Sequence, residues 1–215
     1  APATQCVVPG AFPLLDARAL QTLREQRLVV VDGAIPHEVI RGAADEAAQL
    51  HRDGSMTCDA TDLCAPNTRR YDLRLHPAGR VALRGSRPHL VACADALRSL
   101  AHVLERELQL ELRVPQTAML TAMPPGAAYR PHMDSDGTDS PRILTILLYL
   151  RYEPADRGEL RILGGVGEDE SCTQRQERDI PPLPGRVVVF FAREVRHAVL
   201  ASAGERFALT QWLWK

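Results

Sequence analysis

Residues 186–214 read RVVVFFAREVRHAVLASAGERFALTQWLW, and this stretch decides the fold of the 215-residue chain. Its β-branched and aromatic runs, broken by short segments of charged and small residues, predict strands at residues 186–192, 198–201 and 206–214. His197 comes soon after the first run, and Arg206 begins the last strand nine positions later. The stretch therefore predicts a β-rich core that carries an imidazole and a guanidinium close together along the chain.

The rest of the second half shows the same pattern of short strands between Gly, Pro and Asp turns. We expect further strands near residues 116–123, 129–134, 143–151 and 159–163. All-β patterning of this density is typical of a jelly-roll barrel, which we assign to residues 113–215.

The first half, residues 1–112, resembles a helical support region with one or two strands. Apolar residues recur at helical spacing over residues 14–23 and 37–52. Ser86 predicts the N-cap of a third helix that reaches about Leu110. Two strands are also expected in this half. Residues 28–31 form a continuous apolar run, and residues 70–75 alternate between apolar and polar.

These patterns predict one α+β domain over residues 1–215. Its core is a double-stranded β-helix (jelly roll), with the N-terminal helices packed on the major sheet. Residues 53–67 are small and polar, which indicates a loop that moves near a site.

Composition narrows the class of protein. A net charge of -1 favours neither nucleic acid nor an anionic membrane as a partner. The longest apolar runs are too short to cross a bilayer. Residues 1–10 do not form a signal peptide, and the alternative that a targeting segment has been removed is left open. Five scattered cysteines without paired spacing indicate a reduced, intracellular protein. We expect a monomer in the cytoplasm or nucleus.

The triplet His132-Met133-Asp134 and the later His197 form a candidate metal site. Residues at i and i+2 of a strand point to the same side, so His132 and Asp134 can act together while Met133 points away. Two imidazoles and one carboxylate on one face of a metal suit Fe(II) with open positions for reactants. A His-x-Asp triplet alone is more typical of a surface turn, and only the combination favours a metal.

The last strand places Arg206 on one face with Ala208, Thr210 and Trp212. If that face looks into the barrel, the buried guanidinium requires an anion, and its planar fork suits a carboxylate. The alternative is a surface ion pair with Glu205. The strand at residues 143–151 similarly puts Thr145, Leu147 and Tyr149 on one face. The alternative for Tyr149 is an ordinary core residue with a satisfied hydroxyl, which periodicity fits nearly as well.

Several segments resemble the Fe(II)/2-oxoglutarate dioxygenases of the prolyl 4-hydroxylase family, and most of all the oxygen-sensing prolyl hydroxylases that modify hypoxia-inducible factor. The segments span nearly the whole chain: Leu28-Val-Val-Val-Asp32, Leu50-His-Arg-Asp-Gly54-Ser-Met56, Tyr129-Arg-Pro-His132-Met-Asp134, Leu148-Tyr149-Leu150, Gly158-Glu-Leu160-Arg-Ile162, Arg186-Val-Val-Val-Phe-Phe191, His197 and Arg206-Phe-Ala-Leu-Thr-Gln-Trp212. The nine-residue step from His197 to an arginine is the specific feature, because collagen-type relatives place a lysine further along.

The resemblance implies a role for each matching residue. His132, Asp134 and His197 would bind Fe(II), and Arg206 with Tyr149 would hold the distal carboxylate of the co-substrate 2-oxoglutarate. The remaining co-substrate pocket would consist of Thr145, Leu147, Leu160, Thr210, Trp212 and Tyr129. Substrate access would be shaped by Arg142, Arg70 and Asp72, with Arg142 and Asp72 paired. O2 would be the second co-substrate, and ascorbate an auxiliary reductant.

The chain departs from its relatives at Met123, where they carry a tyrosine. A thioether cannot donate a hydrogen bond, so 2-oxoglutarate is expected to bind less tightly unless Tyr129 compensates.

Three functions fit the sequence. The first is hydroxylation of a proline in a protein or peptide, with an oxygen-sensing role. The second is the same chemistry on a free amino acid or small metabolite, and the third is a metal- and 2-oxoglutarate-binding barrel without turnover. Halogenation is disfavoured because Asp134 occupies the halide position, and zinc hydrolysis because no separate general base accompanies the triplet.

Overall fold

The computed structural model describes residues 15–59, 61–66, 68–135, 141–151, 157–164 and 177–215. Cys6, Cys172 and residues 1–10 lie outside these ranges. Four helices and eleven strands are found in the described residues: α1 (Ala17–Gln26), β1 (Leu28–Val31), α2 (His37–Arg52), β2 (Thr57–Asp59), β3 (Arg70–Leu75), α3 (Pro77–Leu83), α4 (Pro88–Leu108), β4 (Ala118–Met123), β5 (Tyr129–His132), β6 (Arg142–Arg151), β7 (Leu160–Ile162), β8 (Arg178–Ile180), β9 (Val187–Phe191), β10 (His197–Val199) and β11 (Arg206–Trp214).

The strands form two antiparallel sheets. The major sheet has the order β1-β9-β6-β11-β4-β3-β2, and the minor sheet has the order β5-β10-β7-β8. Helices α2 and α4 pack against each other and against strands of the major sheet. The predicted fold, a jelly-roll core with N-terminal helices on the major sheet, is confirmed.

Alternation along the strands divides the interior into two apolar layers. Ile146 and Leu148 of β6, with Phe207 and Leu209 of β11, pack into the layer shared with the helices. Tyr149, on the other face of β6, belongs to the layer between the two sheets. The period-two prediction for both strands is therefore correct, and the opposite faces of β6 and β11 are free to build a site.

The start of α4 differs from the prediction. The helix begins at Pro88 and its N-cap position is Arg87, which makes no side-chain cap hydrogen bond, so Ser86 is not the cap. The carboxylate of Glu46, on α2, instead accepts hydrogen bonds from the backbone N–H groups of His89 and Leu90, the latter at 2.7 Å. A residue from another helix thus satisfies donors that a local side chain was expected to satisfy.

The segment predicted as a mobile loop is tied down where it is described. It contains β2, which pairs with β3. Beyond β2, Arg130 N donates to Leu63 O at 2.7 Å, and Ala65 N donates to Ala128 O at 3.0 Å. These bonds fix residues 61–66 beside β5, so this part of the segment forms a wall near the site.

Two further elements were not predicted, α3 and β8. Both are short, and neither carries a run of periodic apolar residues long enough to stand out from a turn. Within the described ranges, no helix combines the length and the apolar character needed to cross a membrane. Three cysteines there, Cys58, Cys64 and Cys93, are free thiols.

Candidate metal centre and active site

Pairing within the minor sheet brings the two candidate histidines together. His197 of β10 lies directly opposite His132 of β5. Their ring centroids are 4.3 Å apart. The ligand atoms of His132, Asp134 and His197 all lie within 4.8 Å of one another, so these three side chains could hold one metal ion.

Asp134 reaches this position from beyond the strand. β5 ends at His132, so the prediction that both ligands lie on one strand is wrong by two residues. The backbone groups of residues 134 and 135 form hydrogen bonds outside the strand pairing. Arg142 Nη1 donates to Asp134 O at 3.2 Å, and Ser135 N donates to Ala192 O at 3.3 Å. The carboxylate nevertheless lies beside His132, with Oδ1 at 3.5 Å from Nε2.

Both imidazoles are oriented through Nδ1. His132 Nδ1 lies 2.8 Å from Arg130 O, and His197 Nδ1 lies 3.1 Å from Val195 O. Because a carbonyl oxygen only accepts, each Nδ1 carries the proton and each Nε2 keeps its lone pair. Burial lowers the pKa of His197, which favours the neutral imidazole that a metal requires. The donor set thus matches a metal site.

The carboxylate of Asp134 is held from the major sheet. Thr145 Oγ1 donates to Asp134 Oδ2 at 2.5 Å, and Trp212 Nε1 donates to the same oxygen at 3.2 Å. Burial by itself would raise the pKa of Asp134, but its polar neighbours His132, His197 and Thr145 outweigh this effect and lower the pKa below its usual range. The Asp134 carboxylate is therefore ionised and held in one orientation.

Arg206 is a buried cation deep in the barrel. Its exposed fraction is 6%, and among the described residues it forms no ion pair with a carboxylate. Glu205, the alternative partner, pairs with His51 at 2.9 Å. The side chain of Arg206 instead donates from Nη1 to Met123 Sδ at 3.2 Å and lies 4.9 Å from the ring centroid of Tyr149.

Two buried polar atoms in this region have no hydrogen-bond partner: Nε of Arg206 itself and Oη of the neighbouring Tyr149. Tyr149 is fully buried, and burial raises the pKa of its hydroxyl. Unsatisfied buried donors of this kind cost about 1–3 kcal/mol each, and more for a charged group. Two donors that converge in a closed space therefore fit an acceptor with two oxygens, such as a carboxylate.

One cavity of about 80 Å³ connects the three candidate metal ligands with Arg206. Most of the residues predicted for the co-substrate pocket line it: Leu147, Leu160, Thr210, Trp212 and Tyr129. The other two predicted residues border it through contacts, Thr145 with Asp134 and Tyr149 with Arg206. The Tyr129 hydroxyl lies 3.2 Å from Thr61 Oγ1, so in this conformation it is engaged away from Arg206.

A wider groove of about 810 Å³ opens from the metal ligands to the surface between β2, β3 and β5. Arg70, Asp72 and Arg142 all line this groove. The predicted pair between Asp72 and Arg142 is wrong, because Asp72 bonds to Arg70 at 2.9 Å and accepts from Thr121 at 2.9 Å. Arg142 stacks on the ring of Trp212 at 4.2 Å.

Sequence reasoning missed several contributors to the site, among them Met119, Thr121 and Asp59. Met119 and Thr121 of β4 line the cavity, and Asp59 of β2 forms an ion pair with Arg70. Alternation along residues 116–123 could have indicated Met119 and Thr121, since they share a face with Met123. No local signal could have indicated Asp59, because its partner lies across a strand pair whose register the sequence does not specify.

Comparisons with known proteins agree with this geometry. Residues 118–214 match the sequence model of the 2OG-Fe(II) oxygenase superfamily. A search of curated proteins by sequence finds no match.

Solved structures of prolyl hydroxylases share the fold. A prolyl-4-hydroxylase from Pseudomonas putida superposes with a TM-score of 0.75 at 25% identity, covering 93% of this chain and 98% of that chain. A prolyl 4-hydroxylase from Phytophthora capsici gives 0.70 at 25% identity, covering 96% of this chain and 68% of that chain. A Trichoplax adhaerens prolyl hydroxylase in complex with a hypoxia-inducible-factor peptide gives 0.69 at 16% identity, covering 91% and 87%.

The matched residues contain His132, Asp134, His197 and Arg206, which the structure brings around one cavity. The residues that could hold a metal and the buried arginine thus belong to the same matched region. Residues 118–214, which include these side chains, are thus similar in sequence to the 2OG-Fe(II) oxygenase superfamily.

Proposed function

We propose that this protein is an Fe(II)- and 2-oxoglutarate-dependent dioxygenase that hydroxylates a prolyl residue in a protein or peptide. The observation that carries the proposal is a pair of unsatisfied buried donors. One is on Arg206, which lines the same cavity as the three candidate metal ligands, and the other is on Tyr149, which lies against Arg206. A metal-binding barrel without turnover has no need for an anion anchor there.

The protein's part in the reaction is positioning. Bound Fe(II) and 2-oxoglutarate would supply the oxidising power, by decarboxylation of 2-oxoglutarate to succinate and CO2 in the presence of O2. His132, Asp134 and His197 would hold the metal, and Thr145 and Trp212 keep the Asp134 carboxylate turned towards it. The carboxylate furthest from the metal would bind Arg206 and the Tyr149 hydroxyl.

Access of a peptide is supported by the groove. It exposes the metal-ligating residues His132 and Asp134 to the surface along the edge of β3. Tyr129 packs against His132 with ring centroids 4.9 Å apart and lies beneath Arg70, whose Cζ is 4.6 Å from the ring centroid. An open groove of about 810 Å³ suits an extended peptide better than a small metabolite, which would favour an enclosed pocket. The similarity to the Pseudomonas putida prolyl-4-hydroxylase, over nearly its whole length, supports proline as the target.

The test combines two readouts. Purified protein with Fe(II), 2-oxoglutarate and O2 should release succinate and add one oxygen atom to a proline-containing peptide, detected by mass spectrometry. His197→Ala should abolish both, whereas His102→Ala, on the exposed side of α4, should change neither. Absence of succinate release with every peptide would refute the proposal. Hydroxylation of free amino acids alone would replace the peptide by a small-molecule substrate.

The remaining expectations are parts of the same proposal. An oxygen-sensing role requires an O2 dependence that is unsaturated at physiological concentration, which succinate release at graded O2 would measure. Stimulation by ascorbate, a monomeric state and a cytoplasmic or nuclear location stay predictions.

A further inference from the structure

Three arginines line the groove in front of the metal centre, and only one of them is neutralised. Arg70 forms ion pairs with both Asp59 and Asp72. Arg74 and Arg142 also line the groove, yet neither forms an ion pair within the part of the chain that the structure describes. The groove therefore contains two cations without an anionic partner.

Arg142 is held in place without being neutralised. Its guanidinium stacks on Trp212, and Nη1 donates to the backbone oxygen of Asp134. Arg142 is half-buried, and Arg70 and Arg74 line the same groove. A half-buried cation beside two others is relieved when an anion binds to it.

Arg74 faces the groove from the adjacent strand. It alternates along β3 with Arg70 and Asp72 on one face, so it extends the charged face beyond the Arg70 ion pairs. Its side chain is exposed and makes no hydrogen bond with the described residues. An exposed arginine has no anion requirement by itself, but next to Arg142 it can share one.

The two cations are separate from the co-substrate anchor. Arg206 lines the inner cavity and Arg142 does not, whereas Arg142 lines the groove and Arg206 does not. An anion at Arg142 is therefore distinct from the carboxylate expected at Arg206. It belongs to whatever occupies the groove.

We propose that the peptide substrate carries an acidic side chain close to the hydroxylated residue, and that Arg142 and Arg74 bind this carboxylate. The inference rests on the proposed function for its peptide, and it adds the chemical class of that peptide. Arg142, stacked and half-buried, provides the directed hydrogen bonds, and Arg74 adds electrostatic attraction at the rim.

Peptide binding without turnover tests the inference. The protein loaded with Mn(II) and 2-oxoglutarate is titrated with fluorescent proline-containing peptides that differ only by Glu or Gln at one flanking position, and Kd is read by anisotropy. The Glu peptide should bind about tenfold more tightly at low salt, as for one charge-assisted contact, and lose this advantage as salt rises. Amidated and free C-termini of the Gln peptide distinguish a side-chain carboxylate from a terminal one.

Variants identify the residues. Arg142→Gln should remove most of the preference for Glu, and Arg74→Gln should reduce it by about threefold, since an exposed pair contributes less. Arg41→Gln, on α2 and outside the groove, should leave it unchanged. Arg142 donates to the backbone oxygen of Asp134, so Arg142→Gln could also change the metal site. Arg74 is exposed, and Arg74→Gln therefore tests the same preference without that side effect.

Equal affinity for the Glu and Gln peptides would overturn the inference, as would an undiminished preference in both arginine variants. Either result leaves the proposed hydroxylase intact if these peptides still gain an oxygen atom with Fe(II). Conversely, a clear Glu preference in binding without succinate release would refute turnover and keep the recognition.

Discussion

Replacement of Thr145 by valine tests how the metal site is supported. Valine has the shape of threonine without the hydroxyl, so Thr145→Val removes the hydrogen bond to Asp134 Oδ2 and leaves the packing of this fully buried position nearly intact. The Asp134 carboxylate would then keep Trp212 Nε1 as a partner of that oxygen, at 3.2 Å. The predicted effect is on metal binding.

The magnitude follows from the strength of the bond that is lost. A hydrogen bond to a charged group contributes about 1.5–3 kcal/mol. Because Trp212 remains on the same oxygen, we expect the lower end, which corresponds to roughly a tenfold loss of metal affinity. The Thr145 bond also lowers the pKa of Asp134, so its removal raises that pKa. Protons then compete better with the metal, and the deficit should grow as pH falls towards the usual carboxyl range of about 4.

Calorimetric titration with Mn(II) at two pH values measures this effect. Thr210→Val is the matched control, because Thr210 lines the same cavity and makes no hydrogen bond with the described side chains. Metal affinity equal to the wild-type value in Thr145→Val would refute the reasoning. An equal loss in both variants would do so too, since the effect would then come from the change in cavity polarity.

Three other changes have defined outcomes. Arg206→Lys should weaken 2-oxoglutarate binding by more than about tenfold in an anaerobic titration, because an ammonium cannot form the two parallel bonds of a guanidinium; unchanged binding would exclude Arg206 as the anchor. Gly42→Ala should lower the free energy of unfolding by about 1–3 kcal/mol, since a Cβ there would lie 2.5 Å from His89 Cγ. The double variant with His89→Ala should recover part of that loss in urea unfolding, and strict additivity would contradict the clash. Asp32→Asn should lower the free energy of unfolding at pH 7 by less than about 1 kcal/mol. The bond to Arg186 lowers the pKa of Asp32, but the carboxyl is half-exposed and solvent weakens the interaction. The pKa of Asp32 is lower in the folded than in the unfolded state, so its ionisation stabilises the fold above about pH 4. This stabilisation is lost as pH falls through the folded-state pKa, and the free energies of unfolding of wild type and variant should then converge.

The sequence was most informative within single strands, where the period of two determines which side chains share a face. Alternation along β6 and β11 put Thr145 with Tyr149, and Arg206 with Trp212, on shared faces, and in the structure these faces turn towards the cavity. Such strands are long and buried on both sides, so a shift by one residue would bury the wrong side chains.

It was least informative where contacts cross between distant segments. The Glu46 carboxylate caps α4 from another helix, and Met123 contacts Arg206 across a strand pair. Neither contact follows from local spacing, because both depend on how helices pack and how strands align. Asp72 shows the opposite error, because it was paired with the distant Arg142 although its partner Arg70 lies two residues away on the same face of β3.

The position of β11 has a consequence for how the molecule folds. This strand lies between β6 and β4 in the middle of the major sheet and pairs with both. Until its residues are available, the pair β9-β6 and the pair β4-β3 have no sheet contact with each other, and the barrel lacks Arg206 and Trp212. A ribosome-bound chain that ends before residue 206 would thus expose two unpaired strand edges, which favour aggregation. Assembly of the barrel and of its candidate active site should therefore wait for β11 and be one cooperative event.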